Sequence, residues 1–192
     1  MISILNEIID PNVCIGICGE NFDEVIFKEN SSQSKINKLT VKKIPSDCFV
    51  FTLDCDNKVN GKNYAQLSSY LNDTNNNGLN KSCDLVILHV KDAENMVEVS
   101  LIDLKSDKIK KSQCEGQLNN SELFIEYIFK VVKFYYHRTF NLKFRKVIIY
   151  TGPLRKVPVH RGKTEYVQPI RFISLQENRG SAEIFYRRIL TG

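Results

Sequence analysis

The chain has 192 residues, 42% hydrophobic and 26% charged, enough to bury one sizeable core and unlike a disordered or fibrous composition. No run reaches the roughly 18 to 20 apolar residues of a membrane span, and Met1 to Asp10 lack a signal peptide's basic start and apolar stretch, so a soluble cytoplasmic protein without a membrane partner is expected. The net charge of +5 is unevenly placed: residues 1–104 carry 9 Lys against 15 acids, net −6, and residues 105–192 carry 18 Lys and Arg against 7 acids, net +11, which points to a positive surface and a polyanionic partner.

The chain reads as a single domain, 1–192, in three parts. Residues 1–82 alternate short β-rich runs with turn residues, and predict strands at Val13 to Cys18, Glu24 to Lys28, Lys38 to Ile44 and Cys48 to Leu53 in a meander. A short helix is expected over Asn63 to Leu71, followed by the polar loop Asn72 to Asn80. In residues 83–150, the β-branched runs Asp84 to Lys91 and Met96 to Lys105 flank the polar turn Asp92 to Asn95 and predict an antiparallel hairpin. Leu118, Ile125, Ile128, Val132 and Tyr135 recur at helical spacing within a helix from about Ser112 to Phe140, and KVIIY, Lys146 to Tyr150, reads as a strand. Residues 151–192 hold the basic, Gly- and Pro-containing loop Thr151 to Tyr166 and two expected strands, Val167 to Leu175 and Ala182 to Leu190. The fold class is mixed α/β with a central sheet.

Hairpin geometry locates the candidate chemistry. With the turn centred near residue 94, Asp84 pairs with about residue 104 and stands beside Asp103 and Lys105. Asp103 and Lys105 are two apart and share a sheet face, while Ile102 and Leu104 point to the other. Two carboxylates and an ammonium at the end of an apolar hairpin cost several kcal/mol to desolvate unless they pair or bind an ion. Hard oxygen donors suit Mg²⁺, with an exposed cross-strand salt bridge as the plain alternative.

Asp84, then Asp103-Leu104-Lys105 on the next strand, then a helix bearing Gln117, resembles the PD-(D/E)xK nuclease superfamily over roughly residues 83–150. Here Asp84 follows Lys81-Ser82-Cys83 where the family pattern has a proline, and the second acid is Asp where Glu is common. The resemblance implies a restriction-endonuclease-like fold, a mixed central sheet flanked by helices, and a Mg²⁺-dependent endonuclease, with Mn²⁺ as a substitute. It implies Asp84, Asp103 and the Leu104 carbonyl as metal ligands, Lys105 as catalytic lysine and Gln117 as an orienting group. It further implies DNA ahead of RNA as substrate, a homodimer or a partner protein, and a role in restriction, phage defence or DNA repair. An acid from an N-terminal helix often completes such sites, and no motif selects among Glu7, Glu20 and Glu24.

Nucleic-acid contacts are expected from Lys110, Lys111, Arg155, Lys156, His160, Arg161 and Lys163, and Tyr166 is either a stacking or a packing residue. From Lys143 to Lys163 the run, with Arg145 and Lys146, contains no acid, and a solvated basic face is its plain alternative. The six cysteines read as mostly buried thiols; Cys14 and Cys18 lack the partners for a zinc site, and His89 reads as a packed strand residue. No glycine loop of phosphate-cradling spacing occurs. A catalytically inactive nucleic-acid-binding or protein-interaction module on the same fold, or an RNA nuclease, is the alternative reading.

Overall fold

The computed structural model describes residues 1–29, 34–54, 58–59, 62–64, 66–72, 74, 78–105, 111–151 and 169–191. Helix α1 spans Ile2–Ile8 and a 3-10 turn spans Pro11–Val13. Strands β1 (Ile17–Cys18), β2 (Glu24–Lys28), β3 (Lys38–Lys42) and β4 (Cys48–Phe51) follow, then the two-residue β5 (Lys58–Val59) and β6 (Lys62–Asn63). The hairpin is β7 (Leu85–Lys91) and β8 (Met96–Lys105), succeeded by α2 (Lys111–Tyr136), β9 (Asn141–Thr151), β10 (Arg171–Leu175), β11 (Ser181–Phe185) and α3 (Tyr186–Leu190).

The central sheet has five strands in the order β10-β9-β8-β7-β4. β7 runs antiparallel to both β4 and β8, whereas β8, β9 and β10 are parallel. Parallel neighbours need a long connection, and the 26-residue α2 is the one that returns the chain from β8 to β9. One face of this sheet packs under α1 and α2 through Leu5, Val86, Leu88, Val99, Leu101, Leu118, Ile125 and Val132. The other face packs through Leu85, Ile87, Ile102, Val147 and Ile149 against a second sheet of order β1-β2-β3-β11 and against α3. Helices thus lie mainly on one side of the central sheet, and a sheet does the covering on the other.

Several expectations need correction. The four N-terminal strands are not one meander, because β4 pairs with β7 in the central sheet while β1 to β3 belong to the second sheet. Pro11 and the Asp10 side chain, which accepts from the Asn12 N–H, turn the chain where a strand was expected from Val13. No helix forms over 63–71 among the described residues. The Asn80 side chain instead accepts from the Ser68 N–H at 2.8 Å and donates to the Ser68 and Leu71 carbonyls, taking backbone groups that a helix would pair internally. The last expected strand ends at Phe185, where burial changes from alternation at Ala182 and Ile184 to the three-residue step Tyr186 to Ile189, and α3 begins. Helix α2 stops at Tyr136 because His137 takes a left-handed conformation, φ 53°. None of the described helices is long and apolar enough to cross a membrane.

Candidate functional site

The hairpin register ends with Leu85 opposite Ile102. The Asp84 N–H also donates to the Ile102 carbonyl, at 3.1 Å, so two residues oppose one in a bulge-like end to the ladder, and the Asp84 carboxyl lies within reach of the Asp103 charge. Along β8, Val97, Val99 and Leu101 belong to the core under α2 and Ile102 and Leu104 to the opposite core, which puts Asp103 and Lys105 beneath α2 as the alternation requires.

Both carboxyls are removed from water: Asp103 is fully buried and Asp84 is 7% exposed. Asp84 is held on three sides. Its Oδ2 accepts from the Leu104 N–H, its carbonyl accepts from the Thr52 hydroxyl at 2.7 Å, and the neighbouring Cys83 N–H donates to Ser121 Oγ on α2 at 2.9 Å. Lys105 Nζ lies 2.8 Å from Asp103 Oδ1 and 3.3 Å from Gln117 Oε1. Gln117 in turn donates through Nε2 to the Ser82 carbonyl at 3.1 Å, so one amide ties the lysine to the strand that carries Asp84. Asp84, Asp103, Lys105 and Gln117, expected together from the sequence, are brought together.

The remaining carboxylate oxygen, Asp103 Oδ2, is buried and makes no hydrogen bond of good geometry, its carboxyl meeting only the Cys114 thiol and the Asp84 carboxyl besides Lys105. A carboxylate oxygen so placed beside a second carboxyl is costly, and a hard cation bound by the two acids would satisfy it. The electrostatics agree. Burial, then the charge of Asp103, raises the Asp84 carboxyl well above its ordinary value, with Lys105 and the Leu104 N–H opposing less strongly. Burial likewise raises the Asp103 carboxyl against the pull of Lys105. For Lys105, burial alone would depress the ammonium, but Asp103 and Asp84 together outweigh it and hold it above the ordinary lysine value. The donor set fits a divalent ion: two carboxylates, with the Leu104 carbonyl leaving its strand on the same side as the N–H that binds Asp84. No group of three or more His, Cys, Asp or Glu side chains placed to hold a metal ion occurs among the described residues, at this site or elsewhere, so the acidic pair would act with backbone and water ligands.

Sequence reasoning missed three neighbours of this site. Cys114, from the first turns of α2, lies against Asp103; burial and then the Asp103 charge push its thiol up to about 12, so it stays protonated. Tyr150 is the register partner of Lys105 on β9 and shares its face, and its hydroxyl is buried without a partner. Lys146, read as part of a basic surface run, is 4% exposed and bonds Asn119 Oδ1 at 2.7 Å and Glu122 on α2. Arg145 is also engaged inside the fold, donating to the Leu190 carbonyl at 3.3 Å and approaching Glu98 at 3.7 Å. These two cations hold the structure and do not extend a free basic face.

Among the N-terminal acids, Glu7 is placed by Tyr136 near the far end of α2, and Glu24 lies on the second sheet near Lys42. The acid from that region whose charge reaches Asp84 is Glu29, just beyond β2. Lys110, Arg155, Lys156, His160, Arg161, Lys163 and Tyr166 lie outside the described residues, and so does the Lys111 side chain, although Lys111 opens α2. Thr151, which precedes the basic segment, follows Tyr150 at the sheet edge that carries Lys105. His89 is packed as expected, its Nε2 3.2 Å from Asp47 and its ring 6.2 Å from that of Tyr186. Cys48, Cys83 and Cys114 are buried thiols, Cys14 and Cys18 are half-buried, and Cys55 lies outside the described residues. Comparison of the chain with family models, with curated proteins and with solved structures returns no match.

Proposed function

We propose that this protein is a divalent-metal-dependent nuclease of the restriction-endonuclease-like kind, hydrolysing DNA phosphodiester bonds at Asp84, Asp103 and Lys105. The carrying observation is the adjoining pair of buried carboxyls, one with an oxygen that makes no hydrogen bond of good geometry, joined to an ammonium by a 2.8 Å contact. Two acids beside one base in the interior either hold a proton between them or leave one charge unmatched, and a bound cation would relieve either state. The context supports the same reading: an antiparallel hairpin, a following helix that delivers Gln117, and the strand containing KVIIY returning parallel to β8.

Mg²⁺, with Mn²⁺ in its place, would be held by Asp84, Asp103 and the Leu104 carbonyl, and would supply Lewis acidity at the phosphate and an activated water. Burial raises both carboxyls, so a cation bound there would compete with protonation. Lys105, whose ammonium is stabilised by both acids, would neutralise charge developing on the phosphoryl oxygens or orient the attacking water. Gln117 fixes the lysine rotamer. The net +11 of residues 105–192 supplies cations for the backbone phosphates that the acidic pair would otherwise repel.

The test is cleavage of duplex DNA, single-stranded DNA and RNA with Mg²⁺ or Mn²⁺, comparing the parent with Asp103→Ala and an EDTA control. Cutting of DNA that disappears in both controls, with DNA binding retained by the variant, is the expected result. Cutting of RNA alone would reassign the substrate. No cutting and no Mn²⁺ binding by calorimetry would replace the enzyme with a binding module on the same fold.

A further inference from the structure

One face of α2 has no covering layer among the described residues. Leu123 is 64% exposed, Tyr127 61%, Phe134 73% and Tyr135 69%, while Cys114, Leu118, Ile125 and Val132 of the same helix are buried against the sheet. At helical spacing Leu123, Tyr127, Lys130 and Phe134 fall in one narrow stripe, about 16 Å long at 1.5 Å per residue. Aromatic contacts continue it: the Phe134 and Tyr135 rings are 5.0 Å apart, and those of Phe124 and Tyr127 are 6.5 Å apart. Contiguous apolar surface of this kind, edged by charge, marks an interaction site more often than a solvated face.

We propose that this stripe binds a second copy of the chain, the two α2 helices lying antiparallel across a two-fold axis. The charge order of the helix selects that occupant and that direction. Along α2, after the opening Lys111, the charges are Glu115, Glu122 and Glu126, all acidic, and then Lys130 and Lys133, both basic. A parallel pair would set like charges together, and an antiparallel pair sets each acidic half on a basic half. Glu126, Lys130 and Lys133 make no ion pair among the described residues, so all three remain for the partner helix.

Sequence positions agree on a single axis. Leu123 with Phe134, and Tyr127 with Lys130, share one midpoint between Ile128 and Phe129. Two-fold symmetry about that point seats Leu123 on the copy's Phe134 and sets the copy's Lys130 ammonium over the Tyr127 ring. Glu126 then stands beside the copy's Lys130 and Lys133, because a two-fold axis of this direction brings the same flank of each helix together. Gln117 is about 17 Å along the helix from the axis, which leaves both carboxylate sites clear of the interface. The inference concerns association alone and stands whether or not the chain cuts DNA.

Sedimentation velocity of the full chain over about 5–100 µM tests it. The parent is expected to be a dimer, and Leu123→Glu with Phe134→Glu a monomer with unchanged far-ultraviolet circular dichroism, since both side chains are exposed in the single copy. Glu126→Lys alone and Lys130→Glu alone should each raise the dimer dissociation constant about tenfold or more, and the two together in one chain should restore it to within about threefold of the parent. A parent that stays monomeric at about 100 µM, a dimer that survives Leu123→Glu with Phe134→Glu, or a charge swap without rescue each overturns the proposal.

Discussion

Asp103→Asn separates a binding role for the acidic pair from a structural one. In the folded protein Asp103 Oδ2 is buried and makes no hydrogen bond of good geometry, an arrangement that costs about 1–3 kcal/mol. An amide keeps an acceptor toward Lys105 at the 2.8 Å position and aims a donor at Asp84, removing the like-charge contact. Weakening the Asp103 to Lys105 pair, whose acid is fully buried and whose ammonium is 23% exposed, takes back about 1 kcal/mol, since Lys105 keeps the amide oxygen and the charge of Asp84. The net expectation at pH 7.5 without divalent ions is a gain of about 0–2 kcal/mol, or up to about 6 °C in Tm for a chain of this size. The pH dependence has a definite sign. A carboxyl raised in the folded state retains its proton longer there than in the unfolded chain, so the parent's stability is greatest below the ordinary value of 3.8 and falls as pH rises through the raised folded value. The advantage of Asp103→Asn should therefore shrink toward pH 4. Mn²⁺ at about 100 times its dissociation constant should stabilise the parent by about 2.7 kcal/mol and leave the variant unmoved. The assay is thermal unfolding followed by circular dichroism at several pH values, with and without Mn²⁺. A variant less stable than the parent at pH 7.5, with the same response to Mn²⁺, would refute the reasoning and make Asp103 a structural partner of Lys105.

Two further outcomes follow from the tethers around the site. Gln117→Ala frees Lys105 on one side and the Ser82 carbonyl on the other, so the cleavage rate should fall about tenfold while urea denaturation changes by less than about 1 kcal/mol; unchanged cleavage would remove Gln117 from the site. Lys146→Met keeps the buried stem but breaks the bonds to Asn119 and Glu122, and urea denaturation should show a loss of about 1–2 kcal/mol, discounted for the partial exposure of Glu122; DNA affinity unaffected by salt-matched comparison would agree with its internal role.

The parts of the fold legible in sequence are those governed by one strong local period. β-Branched runs fixed the hairpin, whose ladder from Leu85 and Ile102 to Lys91 and Met96 is continuous, and period two alone placed Asp103 and Lys105 opposite Ile102 and Leu104. Helix α2 was legible from its apolar spacing. What was not legible depended on partners remote in sequence. β4 reads like its predecessors but pairs with β7, about 40 residues on, and nothing local separates it from β3. The backbone at 67–71 is held by Asn80, which lies beyond a polar loop. Lys146 sits in a basic run and carries no sign of its burial, because the acceptors that permit it, Asn119 and Glu122, are on another element. Cys114 was indistinguishable from a core thiol until the helix set it against Asp103.

The balance between geometry and charge at the hairpin end argues for a site and not for a stabilising cluster. Asp84 is over-determined in position, fixed by the Leu104 N–H, by Thr52 at 2.7 Å and, through Cys83, by Ser121 at 2.9 Å. Ser121 also donates to the Gln117 carbonyl at 2.8 Å, so the strand end and the helix that delivers Gln117 are locked by one hydroxyl. Thr52 just after β4, Cys83 just before β7, β8 and α2 thus converge on two buried carboxyls that have one close cation, Lys105, between them. An interior built only for stability would answer a second acid with a second cation or an apolar side chain, as the buried Lys146 of β9 is answered by Glu122 and Asn119 of the same helix α2. A fixed pair of acids whose ionisation burial opposes is an arrangement that gains from a bound cation, and it is the one found where β7 begins and β8 ends.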